Sequence, residues 1–484
     1  MTWRPQYRSS KFRHVFGKAA TKENCYDGVP ITRSVHDNQL CAINPRFIAV
    51  ITECAGGGAF LVLSISLTGK IDPHHPRISG HRAKVLDIKW NPFNDLCIAS
   101  CSEDMTVKVW DIPKHGVMKN ITVPWKELQG HSRRVGLIEW HPTASNILFS
   151  TGYDYQVMVW NLNTPEQVIK NPVRSISIHT EVVLSMSFNT DGSRVATSCK
   201  DKKLRIFDPR TGALLQEDLS QPLFQEDLDG SSGVLFPFYD PDTHMLYIAG
   251  KGDGNIRYYE ISAEKPYVHY LTEHRSILPQ KGMGVMPKRG LDVCSCEVFR
   301  FYRLVTTKSL IEPLSMIVPR RSESYQEDIY PMTAGKEPAM TAEQWLSGMD
   351  KGPVLVSLKP GVDTKVELCK DEELVKVPSV QLDTRRSQSR PGLQQLTFTE
   401  RQRNLDKERQ EVKIEDRKEQ NFSETIANGQ EDITHCSPPK TENELLQVYY
   451  KQQEEIRRLR ELLCQRDVQI KQLELEIKNV KNLH

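Results

Sequence analysis

Twice in this 484-residue sequence a histidine, a serine, an aspartate and a tryptophan follow one another at identical intervals: His81, Ser100, Asp104 and Trp110, then His131, Ser150, Asp154 and Trp160. A histidine, a serine and an aspartate are the parts of a nucleophilic hydrolase, in which the carboxylate orients the imidazole that deprotonates the hydroxyl. One active site does not recur along a chain, and this set does. The other chemistry open to these groups is a buried hydrogen-bonded chain, which stabilises only when every member is satisfied. Repetition favours that structural role, so the expectation is a chain that is not an enzyme. A looser third copy has His179, Thr197, Asp201 and Phe207, without the indole donor. A fourth keeps Asp253 and Tyr259 but has Ala249 where a hydroxyl is expected.

The remaining candidates for chemistry are weaker. Gly56-Gly57-Gly58 lacks the Gly-Lys-Ser/Thr ending and the following helix of a phosphate loop, and reads as a tight hairpin between strands over 42–50 and 59–65. Cys294 and Cys296 are too close for zinc-type spacing. The eleven cysteines, among them Cys41, Cys97, Cys101 and Cys199, fit a reducing compartment in which thiols serve as small apolar side chains. Asn120-Ile121-Thr122 and Asn421-Phe422-Ser423 match the glycosylation tripeptide, which has no role in such a compartment. No cofactor and no metal are expected.

The elements that position the repeated residues follow from their period. An aspartate precedes an aromatic by six residues four times, and the aromatics lie 50, 47 and 52 residues apart. That is the period of about 40–50 residues found in β-propellers. Within one unit Gly80-His81 opens, residues 85–90 alternate as a strand, Asn91-Pro92 marks a turn, and two further strands flank Asp104. Degenerate units precede and follow, the last running from Gly284 through 297–302 to 316–319. The fold class expected is therefore an all-β WD-repeat propeller with six units over residues 1–320, opened by a basic arm.

Charge and composition divide the rest. The net charge of +2 hides an uneven distribution: residues 1–20 hold Arg4, Arg8, Lys11, Arg13 and Lys18 with no acid. That stretch is short and lacks interleaved stacking aromatics, so nucleic acid is not an expected partner. No apolar run is long enough to span a membrane and the N-terminus has no signal-peptide core, which places the protein inside the cell without membrane insertion. Residues 321–360, with Tyr325, Tyr330 and Trp345 among polar neighbours, read as an extension packed on the propeller. Residues 361–440 are charged and poor in aromatics, and read as a flexible linker. Residues 441–484 begin with a capping box at Thr441 and Glu444. They carry Ile456, Leu459, Leu463, Arg466, Ile470, Leu473, Ile477 and Val480 in steps of three and four, the a/d stripe of a coiled coil. At 1.5 Å per residue this helix would be about 66 Å long. Homo-oligomerisation through it is the expectation, with Arg466 as one polar core position.

These segments resemble the coronins, short-type WD-repeat proteins that bind actin filaments. The resemblance rests on Ser10-Lys11-Phe12-Arg13-His14-Val15-Phe16-Gly17, on Gly56 through Val62, on Lys251-Gly252-Asp253, on Gly282 through Gly290 and on residues 319–331. Tyr325 through Pro331 and Thr441 through Leu446 resemble the class II branch, nearest its A member. The resemblance implies an actin-organising cytoskeletal adaptor, with actin filaments and actin regulators as partners and a cytoplasmic, cytoskeleton-associated location. Arg4, Arg8, Lys11, Arg13 and Arg33 become the candidate filament contacts, and phosphorylation of Ser9 or Ser10 beside them would weaken binding. A second reading is a WD-repeat scaffold subunit of a nuclear corepressor or signalling complex, with a nuclear pool.

Two departures matter. Coronins have seven blades, and another blade falls in relatives where this chain runs 212–223. The local period survives that omission, since Phe207 to Phe238 is 31 residues against 30 from Trp110 to Trp140. Either a six-blade ring closes, or an open ring leaves unpaired edges. Type I coronins also carry an arginine that contributes to filament binding where this chain has Pro30.

Overall fold

The computed structural model describes residues 8–53, 58–215, 222–228, 233–322 and 324–361. The heptad stripe from Ile456 to Val480, the linker and Arg4 lie outside the described residues. Those that are described form six sheets arranged as blades, and a seventh of two strands, Thr333–Ala334 with Leu355–Val356, outside them. Blade 1 pairs Cys41–Ile43, Phe47–Thr52, Gly58–Ser64 and Arg77–His81. Blade 2 comprises Val85–Asn91, Asn94–Ser102, Thr106–Asp111 and Lys126–Gln129, with Val168–Ile169 added in parallel at its rim. Blade 3 has Val135–Trp140, Ile147–Gly152, Val157–Asn161 and Arg174–Ile176. Blade 4 holds three strands, Val183–Phe188, Val195–Cys199 and Leu204–Phe207. Blade 5 has Leu235–Asp240, Met245–Gly250, Ile256–Ile261 and Val268–His274, and blade 6 has Gly282–Val285, Glu297–Val305 and Leu310–Ile317.

One strand expectation is corrected. Residues 42–50 are not a continuous strand, because Asn44 turns the chain: its Oδ1 accepts the amides of Arg46 at 2.8 Å and Phe47 at 2.7 Å. Such Asx turns compete locally with sheet pairing.

Closure comes from the first residues. Phe16–Ala19 pairs antiparallel with the last strand of blade 6, with Phe16 opposite Ile317 and Ala19 opposite Leu314. Tyr26–Asp27 continues the same edge against Ile311 and Leu310. The N-terminal segment thus occupies an edge that would otherwise be open to another chain.

The core is a chain of contacts between neighbouring blades. One cluster joins blades 6, 1 and 2 (Tyr302, Val50, Ile88), another joins 2 and 3, a third joins 3 and 4, and a fourth joins 5 and 6 (Tyr247, Phe301). None joins blade 4 to blade 5 among the described residues.

Two segments bridge the ring. Turns alternate ends of an antiparallel sheet, so those after the first and third strands of each blade share one face and the others share the opposite face. On the opposite face, residues 32–39 cross the opening. Asn38 Nδ2 donates to the carbonyls of Leu86 (2.9 Å) and Gly136 (2.8 Å) in blades 2 and 3. Lys251 of blade 5 reaches Asp37 Oδ1 at 2.6 Å and the carbonyls of Val35 and His36. On the first face a strap runs from blade 6 past the others. Tyr330 Oη donates to Glu297 O (2.8 Å), Thr333 Oγ1 to Asp242 Oδ2 (2.6 Å), and Lys336 pairs with Asp95 (3.2 Å). The strap ends in the short helix Ala342–Leu346, whose Trp345 is fully buried between blades 3 and 4.

Candidate functional site: the repeated tetrads and the face around them

Both complete tetrads form, with the same geometry. In blade 2, Trp110 Nε1 donates to Ser100 Oγ at 2.8 Å, His81 Nε2 lies 2.8 Å from Ser100 Oγ, and His81 Nδ1 lies 2.9 Å from Asp104 Oδ2. In blade 3 the distances are 2.8 Å from Trp160 to Ser150, 2.8 Å from His131 to Ser150 and 3.0 Å from His131 to Asp154. A carboxylate only accepts, so Nδ1 carries the proton and Nε2 accepts from the serine hydroxyl, which in turn accepts from the indole. The hydrogen bonds therefore run in one direction from Trp to Asp, with Ser100 and Ser150 fully buried. A hydroxyl held this way has no face for an acyl substrate. Burial pushes the Asp104 carboxyl up, but hydrogen bonds from His81, Thr106 and the Arg82 amide outweigh it and hold the group well below the usual carboxylate range.

The glycine before each histidine has a packing reason. A Cβ on Gly80 would come within 2.7 Å of the Trp110 ring, and one on Gly130 within 2.8 Å of the Trp160 ring. Removing the link at the centre has a defined cost: Ser100→Ala strands the Trp110 and His81 nitrogens. It is expected to lower unfolding free energy by about 1–3 kcal/mol in urea titrations. Thr197→Val in the incomplete third copy is expected to cost less.

That third copy shows how the network decays. His179 Nε2 lies 2.9 Å from Thr197 Oγ1, but Asp201 is drawn instead to Arg205 (2.7 Å) and Thr180 (2.9 Å). His179 Nδ1 is left buried without a hydrogen-bond partner. The aspartate nevertheless persists in all four units because it also clamps the turn. Its Oδ1 accepts the amide two residues on: Thr106 (3.1 Å), Gln156 (3.3 Å), Lys203 (3.0 Å) and Asn255 (3.1 Å). The intervening Met105, Tyr155 and Lys202 take left-handed conformations.

The basic candidates do not come together. Arg8 pairs with Glu260 of blade 5 at 2.5 Å, Ser10 Oγ donates to the same carboxylate at 2.6 Å, Lys11 Nζ donates to Asp328 O at 2.8 Å, and Arg13 donates to Arg8 O at 2.8 Å. These side chains fasten the closing arm toward the strap face. Arg33 lies apart from them, on the opposite face, beside Glu53.

That opposite face carries cations that the sequence reading passed over. Arg82 and Lys84, Arg133 and Arg134, and Lys200, Lys202 and Lys203 are all exposed, in turns next to the tetrad histidines and aspartates. Arg134 stacks on the Tyr153 ring at 3.8 Å. Lys281 is held below the usual lysine value by burial first and then by Lys251, with Glu53 opposing and Arg33 adding to the shift. Asp104, Asp154 and Asp201 are turned inward to their own networks. The signal was present in the sequence as basic residues repeating just after Gly-His and around the aspartate. Among the described residues, no group of three or more His, Cys, Asp or Glu could hold a metal, and no helix is long and apolar enough to cross a membrane.

Comparison with known proteins agrees with this architecture. Residues 5–70 match a family described as a domain of unknown function (DUF1899). Residues 74–111, 122–161 and 170–208 match the WD domain, G-beta repeat, and residues 311–353 match a type of WD40 repeat. The chain is 58% identical to Coronin-2A of Homo sapiens, over 99% of each chain, and 53% identical to Coronin-2B of Homo sapiens, over 100% of this chain and 98% of the other. The first of these alignments runs over 531 positions although this chain has 484 residues, so that relative holds at least 47 positions without a counterpart here, close to one blade. The crystal structure of the WD40 domain from Toxoplasma gondii coronin superposes with a TM-score of 0.66 at 26% identity, covering 72% of this chain and 98% of that one. Its repeats, its sheets and these relatives together place the chain in the coronin family, in the class II branch that Coronin-2A and Coronin-2B represent.

Proposed function

We propose that this protein is an actin-filament-binding cytoskeletal scaffold whose filament contact is the basic face formed by Arg33, Arg82, Lys84, Arg133 and Arg134. The observation that carries this reading is the exposure of cations of one sign in successive turns of one face. A filament surface is acidic, so such a face raises the association rate and gives salt-sensitive binding. Pro30 supports the assignment: its carbonyl accepts the Glu53 amide at 3.1 Å, beside Arg33 on this same face. The arginine that type I coronins carry there would join the same patch, and here its neighbours supply the charge. Arg8, Lys11 and Arg13 act through the arm they anchor. Cosedimentation with filaments across a salt series tests the reading. Binding that is insensitive to salt, or recovery of chromatin factors without actin regulators in immunoprecipitates, would refute it in favour of a nuclear scaffold.

The organisation that goes with this function is a propeller over 1–320, a strap over 321–360, a linker over 361–440 and a self-associating helix over 441–484. Association through Ile456, Leu459, Leu463, Ile470, Leu473, Ile477 and Val480 would multiply weak filament contacts by raising effective concentration. Truncation at residue 440 is expected to reduce filament bundling in low-speed sedimentation, because the helix no longer raises the effective concentration of filament contacts.

A further inference from the structure

One seam of the ring differs from the others. In blade 2, Ala99 pairs with Val109 and Cys101 with Val107, and this face, turned toward blade 3, is only 0–1% exposed. The same register positions in blade 4 are Ala196 with Ile206 and Ser198 with Leu204. There Leu204 is 55% exposed and the other three are half-buried. Across the seam, Tyr239, Leu246, Tyr259 and Tyr270 form one cross-strand row of blade 5. Of its three tyrosines, Tyr239 and Tyr270 are each 52% exposed and Tyr259 is buried, whereas the whole row Trp140, Leu148 and Trp160 that blade 3 turns toward blade 2 is 0–5% exposed. Two sheet faces of the kind that blades 2 and 3 bury against each other are left partly exposed, at Leu204 on one and at Tyr239 and Tyr270 on the other.

We propose that these faces pair two copies of this chain, blade 4 of each docking on blade 5 of the other. Three observations select this occupant. The faces are of opposite kind, one trailing and one leading, and this chain's own blades 2 and 3 show that such faces fit each other. Their charges are complementary: Lys200, Lys202 and Lys203 are exposed on the blade 4 side, while Glu226 and Asp227 are exposed beside blade 5, with Glu226 close enough to raise the Tyr259 phenol after burial. A two-fold axis satisfies both faces of both copies at once, so the assembly closes at two. Arg33, Arg82, Lys84, Arg133 and Arg134 lie away from blades 4 and 5, so pairing leaves them accessible. The inference concerns the fold and does not depend on the filament reading.

The test uses the full chain carrying Leu463→Pro and Ile470→Pro, which remove the heptad stripe as a route to association. Sedimentation velocity over about 1–100 µM is expected to show a monomer–dimer equilibrium. Adding Leu204→Asp and Tyr239→Asp is expected to weaken dimerisation by more than about tenfold with the circular dichroism spectrum unchanged. Should that variant misfold, Leu204→Ser with Tyr239→Ser removes apolar area without adding charge and is expected to shift the equilibrium the same way by a smaller factor. A monomer throughout the range overturns the proposal. So do dimers indifferent to these substitutions, and so does growth past the dimer with rising concentration.

Discussion

Trp345→Ala is expected to lower the unfolding free energy by about 3–5 kcal/mol, the largest loss of any single substitution considered. The indole is fully buried, with its ring 4.9 Å from His141 and 6.1 Å from Phe149. A reciprocal capping box brings it there: Gln344 N donates to Thr341 Oγ1 (3.3 Å), and Thr341 N to Gln344 Oε1 (3.0 Å). Arg210, just after the last strand of blade 4, lies 5.6 Å from the same ring and reaches Asp350 at 2.6 Å and Met349 O at 3.1 Å. The strap therefore supports the blade whose other flank is open, and hydrogen exchange in 183–207 should accelerate in the variant before exchange elsewhere. Trp345→Phe separates packing from polarity. The indole nitrogen has no hydrogen-bond partner, so the phenyl ring loses area but no bond, and the cost should stay below about 2 kcal/mol.

His141 adds a pH dependence to this anchor. Its Nδ1 accepts the Ala144 amide at 2.9 Å, and Nε2 lies 3.2 Å from Gly192 O, so the neutral ring fits and a second proton has no acceptor. Burial brings its pKa down to about 4. The unfolded value is about 6.5, so between these values the unfolded chain binds a proton that the folded one does not. The stability His141 contributes is complete above about pH 6.5 and is lost as pH falls toward 4, by on the order of 3 kcal/mol. Urea midpoints at pH 7.5 and 5 should separate more in the parent chain than in His141→Gln.

Reversing Arg82, Lys84 and Arg133 to glutamate together is expected to weaken filament cosedimentation by about two orders of magnitude at low salt. These side chains project from turns whose backbone geometry is set by Asp104 and Asp154, so the fold should be unaffected; surface substitutions of this kind usually change stability by less than about 0.5 kcal/mol. Parent binding should fall as salt rises, since exposed charges are screened within a Debye length of about 10 Å at 0.1 M. The matched control is Lys11→Glu on the arm, which should cost some stability and leave the salt dependence in place. If the arm variant loses binding while the triple reversal keeps it, the filament contact lies on the arm.

Local patterns carried the tetrads, the blade period, the basic arm and the family, because hydrogen-bond spacing and strand alternation repeat within about 50 residues. The structural role of His81 through Trp110 was legible in the sequence, since the same offsets recur at His131 through Trp160. The single strand expected over 42–50 failed at Asn44, where a side-chain turn outweighs apolar propensity. The basic residues of the arm were legible as charge but not as location: Arg8 and Lys11 are engaged by Glu260 and Asp328, some 250 to 320 residues away.

What the sequence by itself determined was which residues form blades and how each blade holds together, because those bonds are local and repeat. Only the tertiary structure decided where the seam falls, which face gathers positive charge, and that residues 32–39 and the strap cross the ring on opposite faces. Those properties arise from contacts between blades, and no period along the chain records which sheet face finds a neighbour and which is left without one.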